Sequence, residues 1–178
     1  MVSKMSAGLS VPVSERDHAQ GSPNAAVTLV EYGDFECPHC AAAHAVVTEL
    51  QKLLGNQLRF VFRHFPLTQM HPHAERAAEA AETAGAQGRF WEMHDLLFEH
   101  QQTLDDGHLM RFAETLRLDV IRFAHELQEG VYRERIREDF MSGVRSGVNG
   151  TPSFFINGVR HDGSYELDAL LYAIRQAV

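Results

Sequence analysis

The two cysteines of the chain stand three residues apart in Glu36-Cys37-Pro38-His39-Cys40, at a point where the hydrophobic pattern changes its period. Before it, Val27-Thr28-Leu29-Val30-Glu31-Tyr32 is rich in β-branched and aromatic residues and reads as a strand. After it, Val46, Val47, Leu50, Leu53 and Leu54 recur at helical spacing. Cys37 is therefore expected at a helix N-terminus, where unpaired backbone N–H groups and the positive end of the macrodipole favour a thiolate. Pro38 suits the first turn, since it has no N–H to lose and its φ is already helical. Cys40 follows about one turn later on the same face, so the two sulfurs can meet. Tetrahedral zinc takes four ligands, and with no second cysteine pair only the eleven histidines remain to complete such a site. A purely structural disulfide is disfavoured, because so short a loop hardly constrains the unfolded chain. The pair reads as a redox couple.

The remainder divides at turn signals. Residues 1–22 read as a flexible tail, with Gly21-Ser22-Pro23-Asn24 turning into the first strand. Gly55-Asn56 stops the first helix, and residues 58–65 alternate as a second strand ended by Pro66. From 71 to 147 the pattern is helical: Ala74, Ala77, Ala78 and Ala81 give one small-residue face, and Phe90, Trp91, His94, Leu97 and Phe98 give an aromatic one. Asp105 or Asp106 is positioned to cap the next helix, with Leu109, Phe112, Ala113 and Leu116 inward. Asp119 is positioned to cap the one after, with Val120, Phe123, Ala124 and Leu127 inward. The charged run 133–139 reads as the solvated side of a last helix. Ser153 to Ile156 reads as a strand, Asn157-Gly158 as a two-residue hairpin turn, Val159-Arg160 as the returning strand, and a helix follows from near Ser164.

On these residues the chain resembles the DsbA-type thiol-disulfide oxidoreductases of the thioredoxin superfamily. Cys37-Pro38-His39-Cys40 resembles their active-site motif, and residues 27–35 the strand before it in the branch with Thr ahead of a cis-proline. Gly150-Thr151-Pro152-Ser153-Phe154-Phe155-Ile156-Asn157-Gly158 resembles their cis-proline loop and hairpin. The resemblance covers about residues 17–178. It implies an α/β thioredoxin fold, β-α-β then β-β-α, with a helical insertion between the second core strand and the cis-proline strand. The implied divisions are a tail at 1–22, thioredoxin halves at 23–70 and 148–178, and the insertion at 71–147.

The implied activity is disulfide exchange with protein or small-molecule thiols, with Cys37 attacking, Cys40 resolving and His39 tuning the thiolate from within the Pro38-His39 dipeptide. Glu31, six residues before Cys37, is expected to be buried and to accept a proton from Cys40. Thr151 and Pro152 are expected to bind substrate, and a redox-recycling partner is implied, but no cofactor or metal. Thr151 departs from the valine of many members. The alternatives are a non-catalytic thioredoxin-fold binding module and a glutathione-dependent transferase of related fold.

A formal charge of −8 argues against nucleic acid, whose phosphates need a basic face. No apolar run reaches the length of a membrane span. Residues 1–16 lack the continuous apolar stretch of a signal peptide, which points to the cytoplasm, with a periplasmic or extracytoplasmic site as the alternative if a leader is removed.

Overall fold

The computed structural model describes residues 8–178. Among these, strands β1 (His18–Gln20), β2 (Val27–Gly33), β3 (Leu58–His64), β4 (Ser153–Ile156) and β5 (Val159–His161) form one sheet in the order β1-β3-β2-β4-β5. Helix α1 (Pro38–Leu54) connects β2 to β3. Helices α2 (Ala74–Gly85), α3 (Phe90–Glu99), α4 (Asp106–Thr115), α5 (Val120–Glu129) and α6 (Arg133–Arg145) separate β3 from β4, and α7 (Leu167–Gln176) follows β5. This is the thioredoxin fold with a helical insertion, and it carries one strand, β1, more than the sequence suggested.

Contacts divide the chain into two units, one of Met1–Gly33, Ala42–Arg63 and Met141–Val178, the other of Asp34–Ala41 and His64–Phe140. The boundaries differ from those expected at 70 and 147. Residues 34–41 and 64–70 group with the helices, and 141–147 with the sheet, for reasons that lie in side-chain bonds described below.

In the first unit β2 and β3 are buried along nearly their whole length, with only Thr28 and Arg59 partly exposed. The alternation expected in residues 58–65 is absent for that reason: a strand covered on both faces has no solvent side. β4 runs antiparallel to β2, with Leu29 opposite Ile156 and Tyr32 opposite Ser153. The β4-β5 turn has positive φ at both Asn157 (49°) and Gly158 (80°), the backbone of a type I′ hairpin. Asn157 also clasps β2, accepting the Thr28 N–H on its side-chain oxygen at 2.9 Å and donating its own N–H to the Thr28 carbonyl at 2.9 Å. Ala43, Val47 and Leu50 of α1 and Leu170 and Ile174 of α7 are buried. Leu53, expected on that face, is 56% exposed because the 3-4-3 spacing of Cys40, Ala43, Val47 and Leu50 carries the buried stripe away from it.

Residues 8–22 are not a flexible tail; residues 1–7, the rest of that expectation, lie outside the described residues. β1 pairs antiparallel with β3, and Gly8 bridges Val159. Ser10 donates its N–H to Ser146 Oγ and its hydroxyl to the Ser142 carbonyl, both at 3.0 Å. The Arg63 guanidinium gathers the segment further, donating to Asp17 twice and to the carbonyls of Val11 and Pro12. Its remaining bond goes to Tyr32 Oη at 3.0 Å, and that hydroxyl is 2.7 Å from Ser142 Oγ. The bonds of Ser142 and Ser146 explain why 141–147 belong with the sheet.

In the second unit α2 touches α3, α4 and α5. Its residues 77–84 are all buried, the alanines leaving room for close neighbours. Asp105 and Asp119 cap α4 and α5 by accepting the N–H groups of His108 and Arg122. α5 stops at Gly130, with φ of 62°. The charged run 133–139 is not merely solvated. Glu79 and Glu82 of α2 are 3% and 4% exposed, and carboxylates so placed require counter-charges. Arg133 Nε lies 2.8 Å from Glu79 and Arg135 Nε 2.8 Å from Glu82, while Asp139 accepts the His64 N–H at 3.0 Å. Burial pushes the Asp139 carboxyl above its ordinary value, against the nearby His64 and Arg135.

Candidate active site

The turn between β2 and α1 is built on Asp34, whose side chain is fully buried. Its Oδ1 accepts the Glu36 N–H at 2.8 Å, and its Oδ2 accepts the Leu67 N–H at 2.9 Å and lies 2.8 Å from His71 Nδ1. Its main-chain carbonyl accepts the Cys37 N–H at 3.1 Å. Two neighbours complete the support. The Phe35 ring packs against His94, Phe98 and His64 at centroid distances of 5.6, 5.0 and 5.9 Å. Glu36 accepts the His73 N–H at 2.7 Å and contacts its Nδ1 at 3.0 Å. These bonds to residues 64–98 are why 34–41 group with the helices.

Cys37 follows at the foot of α1. Its carbonyl accepts the Ala41 N–H at 3.2 Å, which begins the helix, and also a bond from Gln101 Nε2 at 2.9 Å. The same Gln101 nitrogen donates to the Phe35 carbonyl at 2.7 Å. Cys37 and Cys40 are both thiols. Cys37 is 4% exposed and Cys40 0%, so both are buried. Pro38 and His39 between them are exposed.

The first unit holds the other expected residues. Glu31 in β2 is buried at 1% exposure, opposite Phe154. The Thr151–Pro152 peptide bond is cis. The loop before it is fixed by Arg160, which bonds the Gly147 carbonyl and reaches Asn149 Oδ1 at 3.4 Å. Ser153 Oγ donates to the Gly150 carbonyl at 2.7 Å.

Electrostatics near Cys37 centre on His71. Partial burial disfavours its charged form, but the Asp34 hydrogen bond and charge, helped by Cys37 and Glu36, outweigh this and hold its pKa above the ordinary 6.5. Asp34, His71, His73 and Gln101 were not singled out from the sequence. An aspartate directly after a strand is a turn signal that could have marked Asp34. Nothing local marks Gln101, which lies 64 residues from Cys37.

A sheet of this order with a Cys-x-x-Cys pair opening its first helix defines a thioredoxin-fold dithiol protein. A family model described as Thioredoxin (Thioredoxin_4) matches residues 13–176, and the chain belongs to that family. Among solved structures it is similar to a thioredoxin-like oxidoreductase from Silicibacter pomeroyi, with a TM-score of 0.81, 27% identity and coverage of 92% of this chain and 93% of that one. It is equally similar in fold to alpha-DsbA1 of Wolbachia pipientis, with a TM-score of 0.81, 23% identity and coverage of 95% and 94%. DsbA-type thiol-disulfide oxidoreductases are thus among its structural neighbours. In sequence it is 52% identical over 170 residues to a protein of Salinispora arenicola named Na(+)/H(+) antiporter NhaA 1; the match takes in 95% of this chain and 26% of that protein. The chain thus spans about a quarter of the length of the curated relatives it matches. Among the described residues no helix is long and apolar enough to cross a membrane.

Proposed function

We propose that the chain is a DsbA-like disulfide oxidoreductase working through Cys37 and Cys40. The observation that carries this is the position of Cys37, immediately before the first residue of a helix and about one turn from Cys40, in a chain of the thioredoxin family. In the reducing direction the Cys37 thiolate attacks a substrate disulfide, forming a mixed disulfide and releasing one substrate thiolate. Cys40 then attacks the Cys37 sulfur, releasing the second thiolate and leaving the Cys37–Cys40 disulfide. The oxidising direction runs these steps backwards, and a recycling partner resets the pair. Substrates are protein or small-molecule thiols and disulfides.

His39, Pro38 and Glu31 keep the roles that the family resemblance gives them. His39 and Pro38 tune the thiolate, and Glu31 takes the proton from Cys40. Thr151 and Pro152 form the substrate-binding loop. A DsbA-like oxidant works best where thiols are not held reduced, which favours the extracytoplasmic alternative over the cytoplasm. The test is catalysis: the oxidised chain accelerates disulfide formation in a reduced model protein, and with a thiol donor it reduces insulin. Intact protein inactive in both assays points to the non-catalytic binding module instead.

A second reading concerns the partner. Relatives in which the matching segment is about a quarter of a protein named as a Na(+)/H(+) antiporter suggest a redox module that works beside such a transporter. Co-purification of the chain with an antiporter from the same cell, trapped through Cys40→Ser, tests this.

A further inference from the structure

The reading of Cys37 as the attacking sulfur leaves the Asp34–His71 couple without a role. Resting on that reading, we propose that Asp34 and His71 are positioning residues for the thiolate: protonated His71, held through Nδ1 by Asp34, cancels the buried aspartate charge that otherwise opposes ionisation of Cys37.

The argument starts from Asp34. Its side chain is fully buried three residues before Cys37, and its carbonyl already bonds the Cys37 N–H. A carboxylate there disfavours a second negative charge on the nearby sulfur. Two of its three side-chain donors, the N–H groups of Glu36 and Leu67, are neutral. The third, His71, is the one able to bring a whole positive charge. An ionised carboxylate only accepts, so Nδ1 of His71 carries the hydrogen and Nε2 takes up the second proton. The His71 side chain is 15% exposed, enough to exchange that proton with water.

The titratable and charged groups of this unit that act on His71 are Asp34 and Glu36 on the turn and Cys37 at the helix foot. Glu36 is itself shared with His73, at the entrance to α2, and His39 follows on the first turn of α1. Each acidic neighbour helps His71 keep its proton, and while that proton is held the couple carries no net charge. When His71 loses that proton, Asp34 and Glu36 stand against the thiolate with less compensation. The step is a proton transfer alone: the Cys37 thiol gives its proton to water and no electrons move.

The test uses the full chain in a Cys40→Ser background, leaving Cys37 as the single thiol, and follows iodoacetamide alkylation from pH 4 to 9. His71→Gln is expected to slow alkylation at pH 6 about 3- to 10-fold and to move the midpoint upward, the size expected of one nearby partly screened charge. Asp34→Asn alone is expected to move the midpoint downward. The double variant, again neutral as a couple, is expected to return to within about twofold of the parent rate. Profiles of His71→Gln that overlay the parent, or a double variant no different from His71→Gln, overturn the proposal.

A second measurement needs no change at the couple. The His71 imidazole resonance, followed by NMR against pH, is expected to titrate lower in Cys37→Ser than in the reduced parent, because coupling between two sites is reciprocal. Identical titrations overturn it. Both readouts are independent of turnover, so a chain inactive in disulfide exchange that still shows these shifts removes the oxidoreductase reading and leaves the couple standing.

Discussion

Arg63 grips Asp17, 46 residues away, with two parallel N–H···O bonds, Nε to Oδ1 at 2.8 Å and Nη2 to Oδ2 at 3.0 Å. Both side chains are under a tenth exposed, and the geometry is the bidentate fork that makes such pairs strong. Asp17→Ala leaves a buried guanidinium short of its counter-charge and is expected to cost about 3–5 kcal/mol. Guanidinium denaturation measures the loss, and proteolysis should open first within residues 8–22. A cost under about 1 kcal/mol, the level of an exposed pair, shows that the segment is held by its backbone bonds instead.

Gly33 ends β2 where no side chain fits. A Cβ there falls 2.5 Å from Phe62 Cε2 and 3.1 Å from Glu31 Oε1. Gly33→Ala is expected to destabilise by about 1–3 kcal/mol, the range for overpacking a filled core. Thermal unfolding decides it; a variant as stable as the parent means that the Phe62 ring can step aside.

Gln101 holds the carbonyls of Phe35 and Cys37 with one nitrogen. Gln101→Ala is expected to cost about 1–2 kcal/mol, two modest bonds to a partly buried donor. On the proposed function it also slows exchange, since the foot of α1 loses a clamp. Unchanged stability and unchanged rate together assign the amide to solvent rather than to the turn.

The pH dependence of stability follows from His71. Its folded pKa lies above the ordinary 6.5, so its contribution is fully present below that value and is lost as pH rises through the higher, folded one. The stability difference between the parent and His71→Gln should therefore be largest near pH 5.5 and shrink above 6.5, measured by urea titration at each pH. A difference that grows with pH reverses the sign and removes the Asp34 pairing as its cause.

Trapping separates the cysteines. With Cys40→Ser the mixed disulfide on Cys37 has no resolving sulfur and should accumulate, visible as a slower band on non-reducing gels. Cys37→Ser should accumulate none. The opposite pattern exchanges the two roles.

Elements governed by neighbours in sequence were legible. The two-residue turn at Asn157-Gly158, the caps Asp105 and Asp119, the stop at Gly55 and the strand-to-helix change around Cys37 all rest on residues within a few positions of one another. What could not be read depends on distant partners. β1 is three residues long and exists because β3 lies beside it. Arg133 reads as surface until Glu79, 54 residues earlier, is found buried next to it. Asp34 and Gln101 gain meaning only when residues 67, 71, 35 and 37 converge on them, and no local pattern encodes that convergence. The pattern change places Cys37 at the helix start, but its 4% exposure is not a property that position in the sequence encodes.

The paired glutamates of α2 make α6 a length gauge. Arg133 and Arg135 are two residues apart, Glu79 and Glu82 three, and each arginine meets its own carboxylate at 2.8 Å. Sliding α6 by one residue, a rotation of about 100° and a rise of about 1.5 Å, aims both guanidinia away and leaves Glu79 to Arg76 and Glu82 to His64. Gly130, with φ of 62°, supplies the left-handed turn three residues before Arg133, and a Cβ there meets the Arg133 side chain at 2.5 Å. A single insertion or deletion between 130 and 133 consequently breaks two ion pairs together, where a substitution at Arg133 or Arg135 breaks only one.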